Sequence, residues 1–344
     1  MSGERPGAPW QRPLRGRLDE QVVVSEVLRG NPLGDPHVRP LWVYVPPDAG
    51  DRELPVIHLI QGFTGQVDMW RNRSALRPNA IELIDELFAT PGVPPCLVVM
   101  VDCWTSLGGS QFVDSPATGR YHTYLCEEVV PFVDAHYRTL AAPAHRAISG
   151  KSSGGYGAMI TPMLRPDLFG ALATHAGDAL FELCYWRDVP DAARALRDTY
   201  DGSIDAFLAS LRTRPVGTRG DDHVLLNMYA MAACYSADAD GTVQLPFDVN
   251  GRMRDDVWQR WLAWDPVRMA PAHADALRSL RAVYIDAGTR DEFFLDLGAI
   301  AFRDALAAVG VSDVRFELFE GGHMSIEYRY PIALRHLAER ISAS

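Results

Sequence analysis

One short segment of the chain has the pattern that is typical of nucleophilic catalysis by serine. Gly150-Lys-Ser-Ser-Gly154 follows an apolar run and precedes a helix-forming one, so it predicts a sharp strand-to-helix turn with Ser152 at its tip. Glycine on both sides would let strand and helix pass that closely. The first turn of the helix directs its free N–H groups at the same point, so the Ser153 N–H is the first candidate donor to an oxyanion.

The same letters also resemble the end of a phosphate-binding loop, in which Gly-Lys-Ser opens a helix after a strand. That motif requires glycine five residues before Gly150, where this chain has His145. Nucleotide binding is therefore disfavoured. The choice depends on whether an acid and a histidine follow the serine at suitable places.

A carboxylate and a histidine do follow, each after a later β-rich run. The first run, Ala282–Ala287, leads to Asp291, and the second, Val314–Phe319, leads through two glycines to His323. Parallel strands would bring both loops to the edge of the sheet that carries the serine. Serine needs an imidazole to accept its proton, and the imidazole needs a carboxylate to hold its tautomer. The order of serine nucleophile, acid and histidine base is that of α/β-hydrolases.

Two neighbouring carboxylates remain open as alternatives to Asp291. Asp286 lies inside the predicted strand and Glu292 is the next residue, so a shifted loop would change the acid. Two other histidines are weaker candidates for the base. His58 lies in an apolar run and is interpreted as a satisfied core histidine, whereas His175, at the predicted neighbouring strand end, could support the site.

A second loop at the same edge follows the apolar run Pro55–Gln61. Ligands bind in loops at the carboxyl ends of parallel strands. The second oxyanion donor is therefore predicted to be the Phe63 N–H, with Thr64 behind it. The residues predicted to bind substrate here and further along this edge are Gln61, Gly62, Thr64, Trp104 and Trp186.

The elements that must position these residues alternate between strand and helix. This alternation predicts an α/β fold with a mostly parallel sheet flanked by helices. Gln21–Leu28 and Val38–Val45 are predicted to form an antiparallel pair at one edge, preceded by a flexible segment over residues 1–20.

Alternation stops over residues 178–277, here named the cap segment. This stretch is helix-leaning and predicts a helical cap inserted between core segments 21–177 and 278–344. Trp258, Trp261 and Trp264 recur every third residue, which places them along one side of a helix. They are interpreted as packing the cap onto the core, with a role in lining an acyl or aryl pocket as the alternative.

Composition limits the possible partners. The 344 residues are 47% hydrophobic and 22% charged, with a net charge of −11 and a pI near 5.4, which disfavours nucleic acid and anionic membranes. Five cysteines without paired spacing indicate neither a disulfide framework nor zinc. A cytoplasmic protein without membrane insertion, metal or organic cofactor is expected. The oligomeric state is left open, with a homo-oligomer as one option.

Three segments together resemble the putative-esterase branch of the α/β-hydrolases, which includes esterase D-like enzymes, feruloyl and enterochelin esterases and mycolyltransferases. They are Gly119–Arg138, Arg146–Met159 and Glu320–Met324. The resemblance implies an α/β-hydrolase fold, with a catalytic triad and an oxyanion hole at Ser152, Asp291, His323, Phe63 and Ser153. The chain departs from the family in having Gln61 where His is frequent, and Ser153 where Met is frequent.

The expected function is a serine carboxylesterase that hydrolyses a small-molecule ester through an acyl-enzyme. One alternative is an acyltransferase that passes the acyl group to an alcohol, sugar or thiol. Another is a catalytically silent binding protein on a hydrolase fold. A peptidase is a further alternative, although nothing in the sequence suggests a peptide-binding edge.

Overall fold

The computed structural model describes residues 12–47, 49–74, 76–213 and 220–342. The strands in these ranges are β1 (Arg17–Val24), β2 (Val38–Val45), β3 (Val56–Ile60), β4 (Leu97–Val101), β5 (Asp114–Ser115), β6 (Gly119–Arg120), β7 (Arg146–Lys151), β8 (Ala171–His175), β9 (Ala282–Gly288) and β10 (Val314–Phe319). The α-helices are α1 (Ala80–Phe88), α2 (Tyr121–Thr123), α3 (Val130–His136), α4 (Ser153–Leu164), α5 (Phe181–Cys184), α6 (Val189–Arg194), α7 (Ile204–Thr213), α8 (Asp222–Tyr235), α9 (Asp255–Leu262), α10 (Pro266–Met269), α11 (Ala274–Arg278), α12 (Leu295–Ala308) and α13 (Tyr330–Ile341). Short 3₁₀ turns lie at Val67–Arg71, Pro143–His145, Trp186–Asp188, Ala270–His273 and Glu327–Arg329, and π-helical turns at Tyr124–Val129 and Ala195–Thr199.

Eight strands form one sheet in the order β1-β2-β4-β3-β7-β8-β9-β10. The β1–β2 and β2–β4 pairs are antiparallel, and every later pair is parallel. The prediction of a mostly parallel α/β sheet with an antiparallel edge is confirmed. Because β7 lies between β3 and β8, the turn after β7 is close to the loops that follow both neighbours.

The central strands are apolar on both faces because helices cover both faces. In β3, Val56 and Ile60 belong to one hydrophobic core, whereas Ile57 and Leu59 belong to the other. This alternation follows from the two-residue period of a strand. Helices α4 and α12 pack on the first face and α1 and α13 on the second.

The amino-terminal strand begins earlier than predicted. Arg17 already pairs with Val45, so residues 17–20 belong to the sheet and not to a flexible segment. The Gly16 N–H also donates to Asp85 Oδ1 at 2.8 Å, which holds the chain against α1 just before the strand begins. The remainder of the predicted flexible segment up to residue 11 lies outside the described residues.

The described part of the cap segment is mainly helical, from α5 to α11, and packs on α4. The ring of Tyr156 in α4 lies 5.9 Å from that of Phe181 and 5.7 Å from that of Tyr235, and its hydroxyl donates to Trp264 O at 3.1 Å. Helix α9 carries and buries Trp258 and Trp261, but it ends at Leu262, so Trp264 follows the helix and the predicted stripe holds for two of the three tryptophans. Both tryptophans belong to the same hydrophobic core as α4, in agreement with the packing interpretation.

Several features bear on the expectations from composition. All five cysteines are buried and unpaired. None of the helices within the described ranges combines the length and apolar character that crossing a membrane requires. Over the same ranges, no three or more His, Cys, Asp or Glu side chains are grouped as a metal ion would need.

Candidate active site

Ser152 occupies the turn between β7 and α4 in a backbone conformation that residues with a side chain rarely adopt. Its φ of 57° and ψ of −128° are strained for a residue other than glycine. The Ser152 N–H donates to His175 O at 3.0 Å, which ties the turn to the end of β8. The neighbouring strand thereby helps to hold this backbone in place.

The two glycines of the motif are needed for close packing. A Cβ on Gly150 would lie 2.4 Å from the Gly154 carbonyl carbon, and a Cβ on Gly154 would lie 2.5 Å from Ile60 O. Real Cβ atoms do not approach so closely, so any side chain would push α4 away from the sheet. The spacing seen in the sequence thus has a direct steric cause.

The Asp291 and His323 side chains meet at the predicted edge. His323 Nδ1 lies 2.8 Å from Asp291 Oδ2, and both residues are buried. Asp291 Oδ1 accepts the backbone N–H of Phe293 at 2.9 Å, which orients the carboxylate. A carboxylate at Nδ1 places the proton on that nitrogen and leaves Nε2 able to accept one.

The two alternative acids have other partners. Asp286 Oδ1 lies 2.6 Å from His175 Nδ1, and Asp286 Oδ2 accepts from Arg329 Nε at 2.8 Å. Glu292 Oε2 accepts the backbone N–H of His323 at 2.6 Å, which lowers the pKa of that carboxyl. Of the three candidates, Asp291 is therefore the carboxylate that contacts the His323 imidazole.

The loop after β3 lies directly against the serine turn. A Cβ on Gly62 would lie 3.1 Å from Lys151 O, which is tighter than an ordinary contact, so this glycine favours the close approach of the loop to the turn. The Thr64 N–H donates to Gly108 O at 2.8 Å and is already used. Among the described backbone hydrogen bonds, the Phe63 N–H has no acceptor, and the Ser153 N–H lies in the first turn of α4. The two predicted oxyanion donors are thus carried by two segments that lie against each other.

The structure corrects the prediction that the Gln61 side chain binds substrate. Gln61 is buried, and its amide, oriented to satisfy both ends, donates to Val101 O at 2.6 Å and accepts from the N–H groups of Cys103 at 2.7 Å and Trp104 at 2.9 Å. Both ends of the amide are committed to the backbone after β4. Gln61 therefore holds two loops together in place of contacting a ligand.

The two predicted tryptophans lie in different surroundings. Trp104 is half-buried, and its backbone oxygen accepts from Arg39 Nη2 at 2.6 Å. Trp186 is 44% exposed and packs edge-on against Trp258, with 5.6 Å between ring centroids. Its neighbour Arg187 bonds the Glu292 carbonyl, so Trp186 lies near the loop that carries the acid. Substrate contact by either tryptophan stays a prediction.

One group beside the site was missed from the sequence. The Asp178 carboxylate is buried next to α4, where it accepts from Tyr185 OH at 2.8 Å, Gln111 Nε2 at 3.2 Å and Ser153 Oγ at 3.4 Å. Burial raises the pKa of Asp178, while the hydrogen bond from Tyr185 acts in the opposite direction. The sequence signal that could have identified Asp178 is its position just after β8, at the carboxyl edge of the sheet.

His175 forms a second histidine–carboxylate pair away from the serine hydroxyl. It pairs with Asp286, both side chains are almost fully buried, and the ring packs edge-on against Tyr330 at 4.9 Å. The backbone oxygen of His175, not its ring, contacts the Ser152 turn. Its side chain therefore stabilises the sheet beneath the site.

Comparison with known proteins agrees with this architecture. A family model described as "Putative esterase" matches residues 36–324. A ferulic acid esterase structure superposes with a TM-score of 0.60 at 19% identity, covering 96% of this chain and 100% of that one. An S-formylglutathione hydrolase from Agrobacterium tumefaciens gives 0.57 at 18% identity, covering 96% and 98%.

A further similar structure is FphF of Staphylococcus aureus, described as a fluorophosphonate-binding serine hydrolase. It has a TM-score of 0.56 at 14% identity, covering 96% of this chain and 99% of that one. At such identities the superpositions establish the α/β-hydrolase fold, and the family match spans most of the chain. The chain therefore belongs to the putative esterase family and is an ester hydrolase.

Proposed function

We propose that the protein is a serine carboxylesterase that works through an acyl-enzyme on Ser152. The observation that carries this proposal is the buried hydrogen bond of 2.8 Å between Asp291 and His323, at the same sheet edge as the strained Ser152 turn. Such a carboxylate holds the imidazole in the tautomer that can accept a proton from serine.

The proposed reaction has two halves. Ser152 Oγ attacks the ester carbonyl carbon as its proton passes to His323 Nε2, and the Asp291 charge stabilises the resulting imidazolium. The carbonyl oxygen becomes an oxyanion that the N–H groups of Phe63 and Ser153 bind. The C–O bond to the alcohol then breaks, His323 returns the proton to that oxygen, and an acyl-serine is left.

Water completes the cycle. His323 takes a proton from water as the hydroxide oxygen bonds to the acyl carbon, and the second tetrahedral intermediate collapses with release of the acid. The proton returns to Ser152 Oγ. Each step uses groups of the chain and water. Gly62, Thr64, Trp104 and Trp186 are proposed to border the bound ester.

The test is hydrolysis of p-nitrophenyl esters from acetate to decanoate by wild type and Ser152→Ala, with mass spectrometry of fluorophosphonate-treated protein. We expect wild-type turnover, a fluorophosphonate adduct on Ser152, and a loss of about 10⁴ to 10⁶ in turnover for the variant. Turnover that is unchanged in Ser152→Ala would contradict the proposal. Absence of both turnover and labelling would favour a silent binding protein. Formation of a new ester between the acyl group and an added alcohol would favour an acyltransferase.

A further inference from the structure

A pocket of about 410 Å³ lies beside the serine turn, on the face of the sheet that α1 and α13 cover. Its wall includes Lys151, the residue just before Ser152, and Ser325, two residues after His323. Successive Cα atoms are about 3.8 Å apart, so this wall begins one residue from the proposed nucleophile. A group bound here would contact residues that are close in sequence to the proposed nucleophile and the proposed base.

Lys151 is the single lysine of the sequence, and it carries a partly buried charge. Burial lowers the pKa of its ammonium, while the charges of Glu327, Asp291 and Glu292 act in the opposite direction over longer distances. None of the ion pairs formed by the described residues includes Lys151. Because a partly desolvated ammonium is costly without a partner, this group is suited to an anion that enters the pocket.

The remaining charges on the pocket wall are also mostly positive. Arg77 is exposed and, like Lys151, forms no ion pair with any described residue. Arg73 is already compensated by Glu82, with 3.2 Å between Nε and Oε2. Glu327 is the one carboxylate among the described lining residues. A positive pocket thus occurs in a protein whose net charge is −11.

The rest of the lining is apolar or aromatic. Trp70 and Tyr330 are buried and pack edge-on, with 5.5 Å between ring centroids, and Tyr328 at the mouth is 51% exposed. Sites for small molecules combine an apolar wall with a few polar groups that fix orientation. The chemistry of this pocket therefore fits an apolar group that carries a negative charge.

We propose that this pocket binds a carboxylate-bearing apolar part of the ester substrate, with Lys151 as the main contact of the carboxylate and Arg77 as a second. That the bound group is part of a substrate rests on the proposed esterase function. The preference of the pocket for a carboxylate does not depend on that function. The alternative is that Lys151 only balances the charges of Asp291 and Glu292. That alternative predicts no ligand at the pocket.

Binding is tested without turnover by ¹⁹F NMR titration of 4-fluorobenzoate and the uncharged 4-fluorobenzamide. We expect the benzoate to bind wild type at least about tenfold more tightly than the amide, as for a charge-assisted hydrogen bond. Lys151→Met should remove this preference and Lys151→Arg should largely keep it. The control Arg194→Met makes the same charge change at an exposed position of α6 and should have no effect.

Arg77→Met provides a second variant on an exposed loop, in case Lys151→Met does not fold. It should weaken benzoate binding about threefold without affecting the amide. Equal binding of benzoate and benzamide by wild type would overturn the proposal. So would a benzoate preference that is as large in Lys151→Met and in Arg77→Met as in wild type.

Kinetics then test whether the bound group belongs to the substrate. The ratio of kcat/KM for an acidic ester to that for p-nitrophenyl butyrate should fall about tenfold or more in Lys151→Met. Two acidic esters are used, p-nitrophenyl hemiglutarate and the butyrate ester of 4-hydroxybenzoate, which carry the carboxylate on the acyl and alcohol sides. An unchanged ratio for both would overturn the substrate role. Benzoate binding by a protein that hydrolyses no ester would instead show that the proposed function had failed.

Discussion

Ser152 has an ordinary hydroxyl, and its proposed reactivity depends on its surroundings. It lies in a strained backbone turn after β7, and His323, in a loop at the same edge of the sheet, is held by Asp291 through a bond of 2.8 Å. Three carboxylates occur between residues 286 and 292, but their partners differ. At the scale of single residues, the direction of each carboxylate therefore matters more than its position in the chain.

The first prediction concerns the choice of acid. Asp291→Asn should lower kcat for p-nitrophenyl butyrate by about 10³ to 10⁴, because an amide can hold the wrong imidazole tautomer and cannot stabilise the imidazolium. Glu292→Gln is the matched control, since its amide oxygen can still accept the His323 N–H; its kcat should stay within about tenfold of wild type. A larger loss of kcat in Glu292→Gln than in Asp291→Asn would show that Asp291 is not the acid of the triad.

The second prediction concerns His58, which lies inside β3. The interpretation of a satisfied core histidine is half right. The ring is fully buried against Phe169, and within the described residues neither ring nitrogen makes a hydrogen bond of normal geometry, with only a weak interaction to the Ala147 backbone. Burial, with the charge of Arg146, lowers the pKa of His58 to about 3. In the unfolded chain the same ring titrates near 6.5.

As pH falls below about 6.5, His58 binds a proton in the unfolded chain but stays neutral in the folded protein. The free energy of unfolding therefore decreases until the pH reaches about 3. By pH 5 the loss is about 2 kcal/mol, from roughly 1.5 pH units. Urea unfolding of wild type and His58→Met at pH 7.5 and pH 5 measures this loss of stability. The drop in unfolding free energy should be smaller in the variant by about that amount. An equal drop in both proteins would show that His58 does not titrate as inferred.

At the scale of elements, the carboxyl ends of β3, β7, β8, β9 and β10 supply the parts of the proposed site. The parallel order of these strands places their following loops at one edge. The position of these loops also depends on contacts that hold neighbouring strands of the sheet together. A buried cluster around Asp286 performs this role: Asp286 in β9 contacts His175 in β8 and Arg329 just before α13, and Arg329 in turn contacts Glu317 in β10.

The third prediction is that Asp286→Asn destabilises the fold more than it affects the chemistry. Asp286 accepts from Arg329 Nε at 2.8 Å and from Tyr284 OH at 2.9 Å. Arg329 is 5% exposed and keeps Glu317 as a second partner at 2.6 Å, so loss of the Asp286 charge leaves a buried cation only partly compensated and should cost about 2 to 3 kcal/mol in urea unfolding.

The control for this cluster is an ion pair at the surface. Asp313→Asn removes the partner of Arg340, a pair of 2.9 Å between exposed side chains, and should cost less than about 1 kcal/mol. A similar small cost for Asp286→Asn would mean that the buried cluster contributes little. Where Asp286→Asn remains folded, its kcat should stay far above that of Asp291→Asn.

At the scale of the whole molecule, the cap segment and the sheet share a hydrophobic core. Tyr156 from α4 contacts Phe181 and Tyr235 of the cap segment, and Trp261 Nε1 donates to Ser236 Oγ at 2.8 Å inside that segment. The contact between α4 and the cap segment is therefore part of the interior. We expect the cap segment not to unfold separately.

The fourth prediction is one cooperative unfolding transition. Tryptophan fluorescence, to which four cap-segment tryptophans contribute, should change at the same urea concentration as far-UV circular dichroism and ester hydrolysis. Trp261→Phe, which removes a buried ring contact, should lower all three midpoints together. If fluorescence and activity were lost while most circular dichroism remained, the cap segment would be an independent unit.

The sequence by itself determined the features that depend on local steric rules and on strand order. The glycine spacing around Ser152 requires a tight turn, and alternating apolar runs require a parallel sheet that collects its loops at one edge. Tertiary structure decided what depends on side-chain direction and on distant partners. It pairs Asp291 with His323 and Asp286 with Arg329, and it turns Gln61 inward to the backbone after β4. Neighbours in sequence such as Asp286 and Asp291 carry the same chemistry, and only the packed loops decide which partner each one meets.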